Sequence, residues 1–119
     1  MEHFLEWRDH DRVLTRVTYN PAKQVVIKVE NLTDYWLDKF LVEETFEGLR
    51  HACASRVLPE ERYLREPEIQ RLVGSVTWDP IRICHLTAGL LPTDDNWVWF
   101  DSYPKGLKYA DICYEVRRS

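Results

Sequence analysis

Residues 12–30 have the sequence RVLTRVTYNPAKQVVIKVE, and this stretch decides the fold. Its β-branched and aromatic residues recur at every second position in two runs: Val13, Thr15, Val17 and Tyr19, then Val25, Ile27 and Val29. Such alternation predicts two half-buried strands. Residues 20–23, between the runs, are typical of a tight turn because Pro21 presets the backbone angle that a turn requires. The stretch therefore predicts an antiparallel hairpin whose outer face carries Arg12, Arg16 and Lys28.

The middle of the chain favours helices. Apolar residues with the spacing of one helix face follow the hairpin: Val42, Phe46, Leu49, Cys53 and Val57. They predict a helix over about 42–56, with an alternative start at 34 if Thr33 is its N-cap. Pro59 before two glutamates predicts the first turn of a second helix. Pro67 predicts the start of a third, for which Gly74 is a suitable C-terminal cap.

The last third of the chain favours strands. Residues 81–87 are short and apolar, 97–103 are rich in aromatic residues, and 109–116 alternate with period two. With the hairpin and the helices, they predict one α+β domain over residues 1–119. Its sheet is antiparallel or mixed, made of the N-terminal hairpin plus three C-terminal strands, with helices packed on one face.

Composition excludes several classes of protein. Hydrophobic residues make up 45% and charged residues 30% of 119 residues, as in an ordinary globular domain. A net charge of −4 disfavours direct binding to nucleic acid or to an anionic membrane. The polar N-terminus does not resemble a signal peptide, and no apolar run approaches the roughly 18 residues of a membrane span. We therefore expect a cytoplasmic protein.

The three cysteines, Cys53, Cys84 and Cys113, fit no disulfide framework because their number is odd, and no CxxC pair suggests a zinc site. They are predicted to be free thiols. The acidic loop at 94–96 lacks the DxDxDG pattern of a calcium site. Since the common catalytic motifs are also absent, the sequence predicts no catalytic residue, no metal and no cofactor.

An enzyme remains the alternative hypothesis, on the evidence of cysteine and histidine. Cys84 precedes His85 directly, and His51 lies two residues before Cys53. Neighbours in a strand point to opposite faces, so Cys84 and His85 should not meet, although His51 could approach Cys84 through the fold. A small enzyme or ligand-binding domain with such a pocket would need a concave site where titratable groups converge.

Acidic charge is concentrated over residues 30–47, which hold six acids against one base, Lys39. Trp97 and Trp99 share one face of a predicted strand, where acidic neighbours disfavour base stacking, so a core role and a protein-interface role both stay open.

These features favour a small acidic protein without enzymatic activity that binds a basic protein partner. An inhibitor, such as an immunity or anti-defence protein that neutralises a nucleic-acid-handling enzyme, would fit. The predicted partner-binding residues are Asp34, Asp38, Glu43, Glu44, Glu47, Asp94, Asp95, Trp97 and Trp99.

Overall fold

A computed structural model of the chain describes residues 1–32, 40–91 and 93–112. These residues form a four-stranded antiparallel sheet in the order β3-β2-β1-β4, together with helices, which confirms the predicted α+β class. The strands are β1 (His3–Asp9), β2 (Arg12–Asn20), β3 (Val25–Asn31) and β4 (Asn96–Phe100).

The predicted hairpin is confirmed as β2 and β3, which pair antiparallel with Val17 opposite Val29. The turn between them is closed by a side chain, since the Asn20 Oδ1 atom accepts a hydrogen bond of 3.1 Å from the Lys23 backbone N–H. Asparagine favours such local contacts with the backbone, which is why it commonly begins turns.

Strand β1 was not predicted, although it pairs with both β2 and β4 and is central to the sheet. Its apolar residues Leu5 and Trp7 alternate with the charged residues Glu6 and Arg8, which is the period of a strand. The pattern was missed because two of its alternating residues, Glu6 and Arg8, are charged. Glu6 is nonetheless buried, with 3% of its surface exposed, because Arg8 and Arg16 both bind its carboxylate.

Helix α1 begins later in the chain than the sequence indicated, whereas α2 and α3 begin at the predicted prolines, Pro59 and Pro67. Helix α1 starts at Phe46, and the Thr45 side chain caps it by accepting a hydrogen bond of 3.0 Å from the Gly48 N–H. Of the predicted apolar stripe, Leu49 and Cys53 are fully buried, whereas Val42 is 96% exposed and precedes the helix. The alternative start at 34 lies outside the described residues. The helices are α1 (Phe46–Ala54), α2 (Glu60–Tyr63), α3 (Pro67–Val73) and α4 (Pro80–Thr87).

Two of the three predicted C-terminal strands are wrong. Residues 81–87 belong to helix α4, because the Asp79 side chain caps the backbone N–H groups of Ile81 and Arg82 and Pro80 occupies the first helical turn. Residues 109–112 are also helical, and 113–116 lie outside the described residues. The third strand is confirmed as β4, although it ends at residue 100 rather than 103.

The two faces of the sheet are covered differently. The sequence predicted helices packed on one face of the sheet, and α1 and α4 do pack there. They share a core with inward side chains of the strands: Leu5, Val17, Leu49, Cys53, Cys84, Val98 and Phe100. The other face carries Trp97 and Trp99, which pack against the segment 103–112.

Helix α3 ends at Gly74 in a left-handed conformation, which confirms the predicted cap.

The buried position of Leu49 leads to a stability prediction. Leu49→Ala should lower the free energy of unfolding by about 2–5 kcal/mol, because it leaves a cavity between α1 and the sheet. Leu72→Ala is the matched control, since Leu72 is 75% exposed on α3 and its loss should change stability by less than about 0.5 kcal/mol. Urea denaturation measures both, and equal small losses would contradict the packing of α1.

Candidate functional site

Three of the predicted partner-binding residues lie together on the surface, in residues 42–47, which we term the acidic turn. Glu43 and Glu44 are exposed just before α1, and Glu47 is exposed in its first turn. Val42 precedes them with 96% of its surface exposed. The acidic turn borders a recess of about 370 Å³, and the residues that line this recess include Phe40, Val42, Glu43, Gly48 and Ala52.

The backbone of the acidic turn packs tightly against the start of α1. A Cβ atom at Gly48 would lie 1.9 Å from the Glu43 carbonyl oxygen, so no larger residue fits there unless the turn moves. Glycine at this position thus permits the backbone of the acidic turn to approach the start of α1 closely. Within the described residues, Glu43 and Glu44 form no ion pair, and Glu47 has only long contacts, at 3.7 Å to Arg50 and 3.9 Å to His51.

Asp94 and Asp95 lie elsewhere, and Asp34 and Asp38 lie outside the described residues. The Asp94 carboxylate accepts two hydrogen bonds, of 2.7 and 2.8 Å, from Arg56, which follows α1. These bonds hold the pKa of Asp94 below its ordinary value. Asp95 accepts a hydrogen bond of 2.9 Å from the Tyr109 hydroxyl. Helix α1 is about 14 Å long, so Asp94 and the acidic turn lie near its opposite ends.

Trp97 and Trp99 lie in the core, with 0% and 6% of their surfaces exposed. The Arg8 guanidinium carbon stands 5.2 Å from the Trp97 ring centroid and 5.0 Å from that of Trp99. Of the two roles that the sequence left open for these rings, burial supports packing. Of the predicted partner-binding residues that the structure describes, Glu43, Glu44 and Glu47 are therefore the exposed ones, while Asp94 and Asp95 are half-buried.

The proposed cysteine–histidine pocket does not form around Cys84. Cys84 is fully buried on α4 and its thiol contacts that of Cys53, whereas the His51 side chain is 83% exposed. The hydrogen bond with Cys84, together with burial, raises the pKa of Cys53 well above the ordinary value. Both effects disfavour the thiolate, the reactive form of cysteine.

Titratable groups do converge in a second cleft, of about 270 Å³, between the start of β1, helix α4 and the turn after β4. The His85 Nε2 atom lies 2.6 Å from the Ser102 hydroxyl oxygen. The neighbouring Asp101 carboxylate pairs with the His3 ring at 3.2 Å and accepts a hydrogen bond from the Phe4 N–H. Of these residues, the sequence singled out His85 for catalysis and weighed Asp101 only as an oxygen ligand, because the fold brings the group together from distant positions.

Comparison with known proteins gives no match to a family model, to a curated protein or to a solved structure. In the part of the chain that the structure describes, no group of three or more His, Cys, Asp or Glu residues is placed to hold a metal ion. No helix among the described residues has the length and apolar character needed to cross a membrane.

The contact between Cys53 and Cys84 identifies the pair of cysteines that could form a disulfide if the prediction of three free thiols is wrong. Both are free in the structure, and Cys113 lies outside the described residues. Thiol titration of protein denatured without reductant should find three thiols, because burial and the raised pKa of Cys53 slow thiolate attack. A count of one would contradict this, and peptide mapping would then test for a Cys53–Cys84 disulfide.

Proposed function

We propose that this chain is a small acidic protein that binds a basic protein partner through the acidic turn and its adjacent recess. The proposal rests on the exposure of Val42. This apolar residue is 96% exposed beside three exposed glutamates and a recess of about 370 Å³. An apolar group surrounded by charge is the usual anatomy of a protein interface, with an anchor at the centre and a polar rim.

The charges of the acidic turn favour a basic partner. Glu43, Glu44 and Glu47 are exposed, so their carboxylates face solvent. Charges at the rim of an interface mainly accelerate association and exclude partners of the same sign. The recess would then accept an apolar side chain or the aliphatic stem of a lysine or arginine, which carries its charge at the tip.

More specifically, we propose that the protein is an inhibitor of the immunity or anti-defence type. It would neutralise a basic enzyme that acts on nucleic acid in the cytoplasm. Its support is the small size and the net charge of −4. A basic nucleic-acid-binding surface attracts acidic proteins for the same reason that it attracts phosphates.

Charge reversal of the acidic turn tests the proposal. Glu43→Lys, Glu44→Lys and Glu47→Lys together should slow association at low salt at least tenfold with a partner captured from a host lysate. The physical reason is loss of electrostatic steering, so the difference from wild type should shrink as salt approaches physiological strength, where the Debye length is ~8 Å. Biolayer interferometry measures the association rate, and urea denaturation checks that the variant remains folded.

The matched control reverses three exposed glutamates elsewhere: Glu60, Glu61 and Glu68. This variant has the same net charge as the first and should associate faster than it does. Equal rates for the two variants would mean that only the total charge matters. If the acidic-turn variant associates at the wild-type rate in low salt, the acidic turn is merely a solvated surface.

Val42→Asp should accelerate dissociation of the complex if Val42 is the anchor.

A further inference from the structure

We propose that Ser102 is a nucleophile activated by His85, and that it accepts acyl groups from small activated esters that enter the cleft of about 270 Å³. The Ser102 Oγ to His85 Nε2 distance of 2.6 Å is that of a hydroxyl paired with its general base. This site uses none of the residues of the acidic turn, so it is independent of the proposed partner binding.

The position of Ser102 is fixed by the residues on either side of it. The Asp101 N–H donates a 3.0 Å hydrogen bond to the Phe4 carbonyl, and the Asp101 side chain accepts from the Phe4 N–H in return. On the other side, the Tyr103 N–H donates to the Phe100 carbonyl at 2.9 Å, and the Tyr103 hydroxyl donates to the His85 carbonyl. The turn is therefore tied to both β1 and α4, and such support is what holds a nucleophile in reach of its base.

His85 is suited to accept a proton. Its ring packs edge-on against Phe100, with 5.0 Å between centroids, and lies 5.2 Å from the Tyr103 ring. Partial burial lowers the pKa of His85, although the nearby Asp101 carboxylate opposes this effect. The imidazole is thus neutral at neutral pH, the state in which Nε2 can take a proton from the Ser102 hydroxyl.

The cleft has room for a small acyl group. Its walls include the apolar side chains of Ile81 and Phe100, and its volume of about 270 Å³ is below the ~300–1,000 Å³ of drug-sized pockets. Arg82, one helical turn before His85, also lines the cleft, and its guanidinium donates a hydrogen bond of 3.4 Å to the Gly74 carbonyl.

The reaction conserves atoms and charge. Ser102 Oγ attacks the carbonyl carbon while its proton passes to His85 Nε2, and the bond from that carbon to the leaving oxygen breaks. The alcohol departs with the proton from His85 and leaves an ester on Ser102. A water molecule then gives a proton to His85 and attacks the carbonyl carbon of this ester. The bond from that carbon to Ser102 Oγ breaks, the carboxylic acid is released, and His85 returns the proton to Ser102 Oγ.

The test uses p-nitrophenyl acetate with the full chain. We expect release of p-nitrophenolate together with one acetyl group on Ser102, found by intact mass and peptide mapping. Ser102→Ala should lose this modification, and His85→Gln should slow it by roughly 100-fold or more. Because the pKa of His85 is lowered, the rate should rise with pH and reach its plateau at a midpoint below the ordinary histidine value of about 6.5.

Ser75→Ala and His10→Gln are the controls, since both residues lie outside the cleft, and each should react as wild type does. Circular dichroism and urea denaturation check that the variants fold. Acetylation of other residues only, or an equal rate in folded Ser102→Ala, would overturn the proposal, because the 2.6 Å contact would then be a surface hydrogen bond without catalytic effect. An unchanged rate in His85→Gln would overturn the role of the base.

Discussion

The buried guanidinium group of Arg56 connects the end of α1 to the segment between α4 and β4. It follows α1, is 7% exposed, and donates two hydrogen bonds to the Asp94 carboxylate. It also donates to the Gly89 carbonyl at 2.9 Å and to the Asn96 carbonyl at 2.8 Å, and its central carbon stands 4.9 Å from the Trp7 ring centroid. A buried cation is tolerated only when its donors are paired, so these contacts depend on one another.

Several local features follow from this arrangement. Gly89 must bring its carbonyl close to Arg56, and a Cβ atom there would lie 3.1 Å from both the Cys84 sulfur and a Val98 methyl, with φ at +59°. The lowered pKa of Asp94 means that its pairing stabilises the fold above the unfolded-state pKa of aspartate. This contribution is lost as the pH falls through the lower folded-state pKa, so acid should weaken the attachment of α1 to the sheet.

Local patterns predicted the hairpin, the burial of Leu49 and Cys53 on α1, the start of α3 at Pro67 and its cap at Gly74, because those features depend on neighbouring residues. Strand β1 was missed since its buried Glu6 is stabilised by Arg16 from the next strand, which alternation alone does not show. Helix α4 resembled a strand because a short apolar run fits either structure, and the Asp79 cap decided between them. The two candidate sites also differ in whether the sequence alone could predict them. The acidic turn was visible as a charge excess, whereas the pairing of His85 with Ser102 depends on the fold.

The central claim is that one buried guanidinium ties the end of α1 to the segment between α4 and β4, beside the apolar core that packs α1 and α4 on the sheet. Equilibrium urea unfolding of Arg56→Lys at neutral pH tests it most directly, since lysine keeps the charge but cannot reproduce the planar set of donors. The account predicts a loss of about 2–4 kcal/mol in the free energy of unfolding. A variant within about 0.5 kcal/mol of wild type would contradict it, because ordinary surface substitutions have effects of that size.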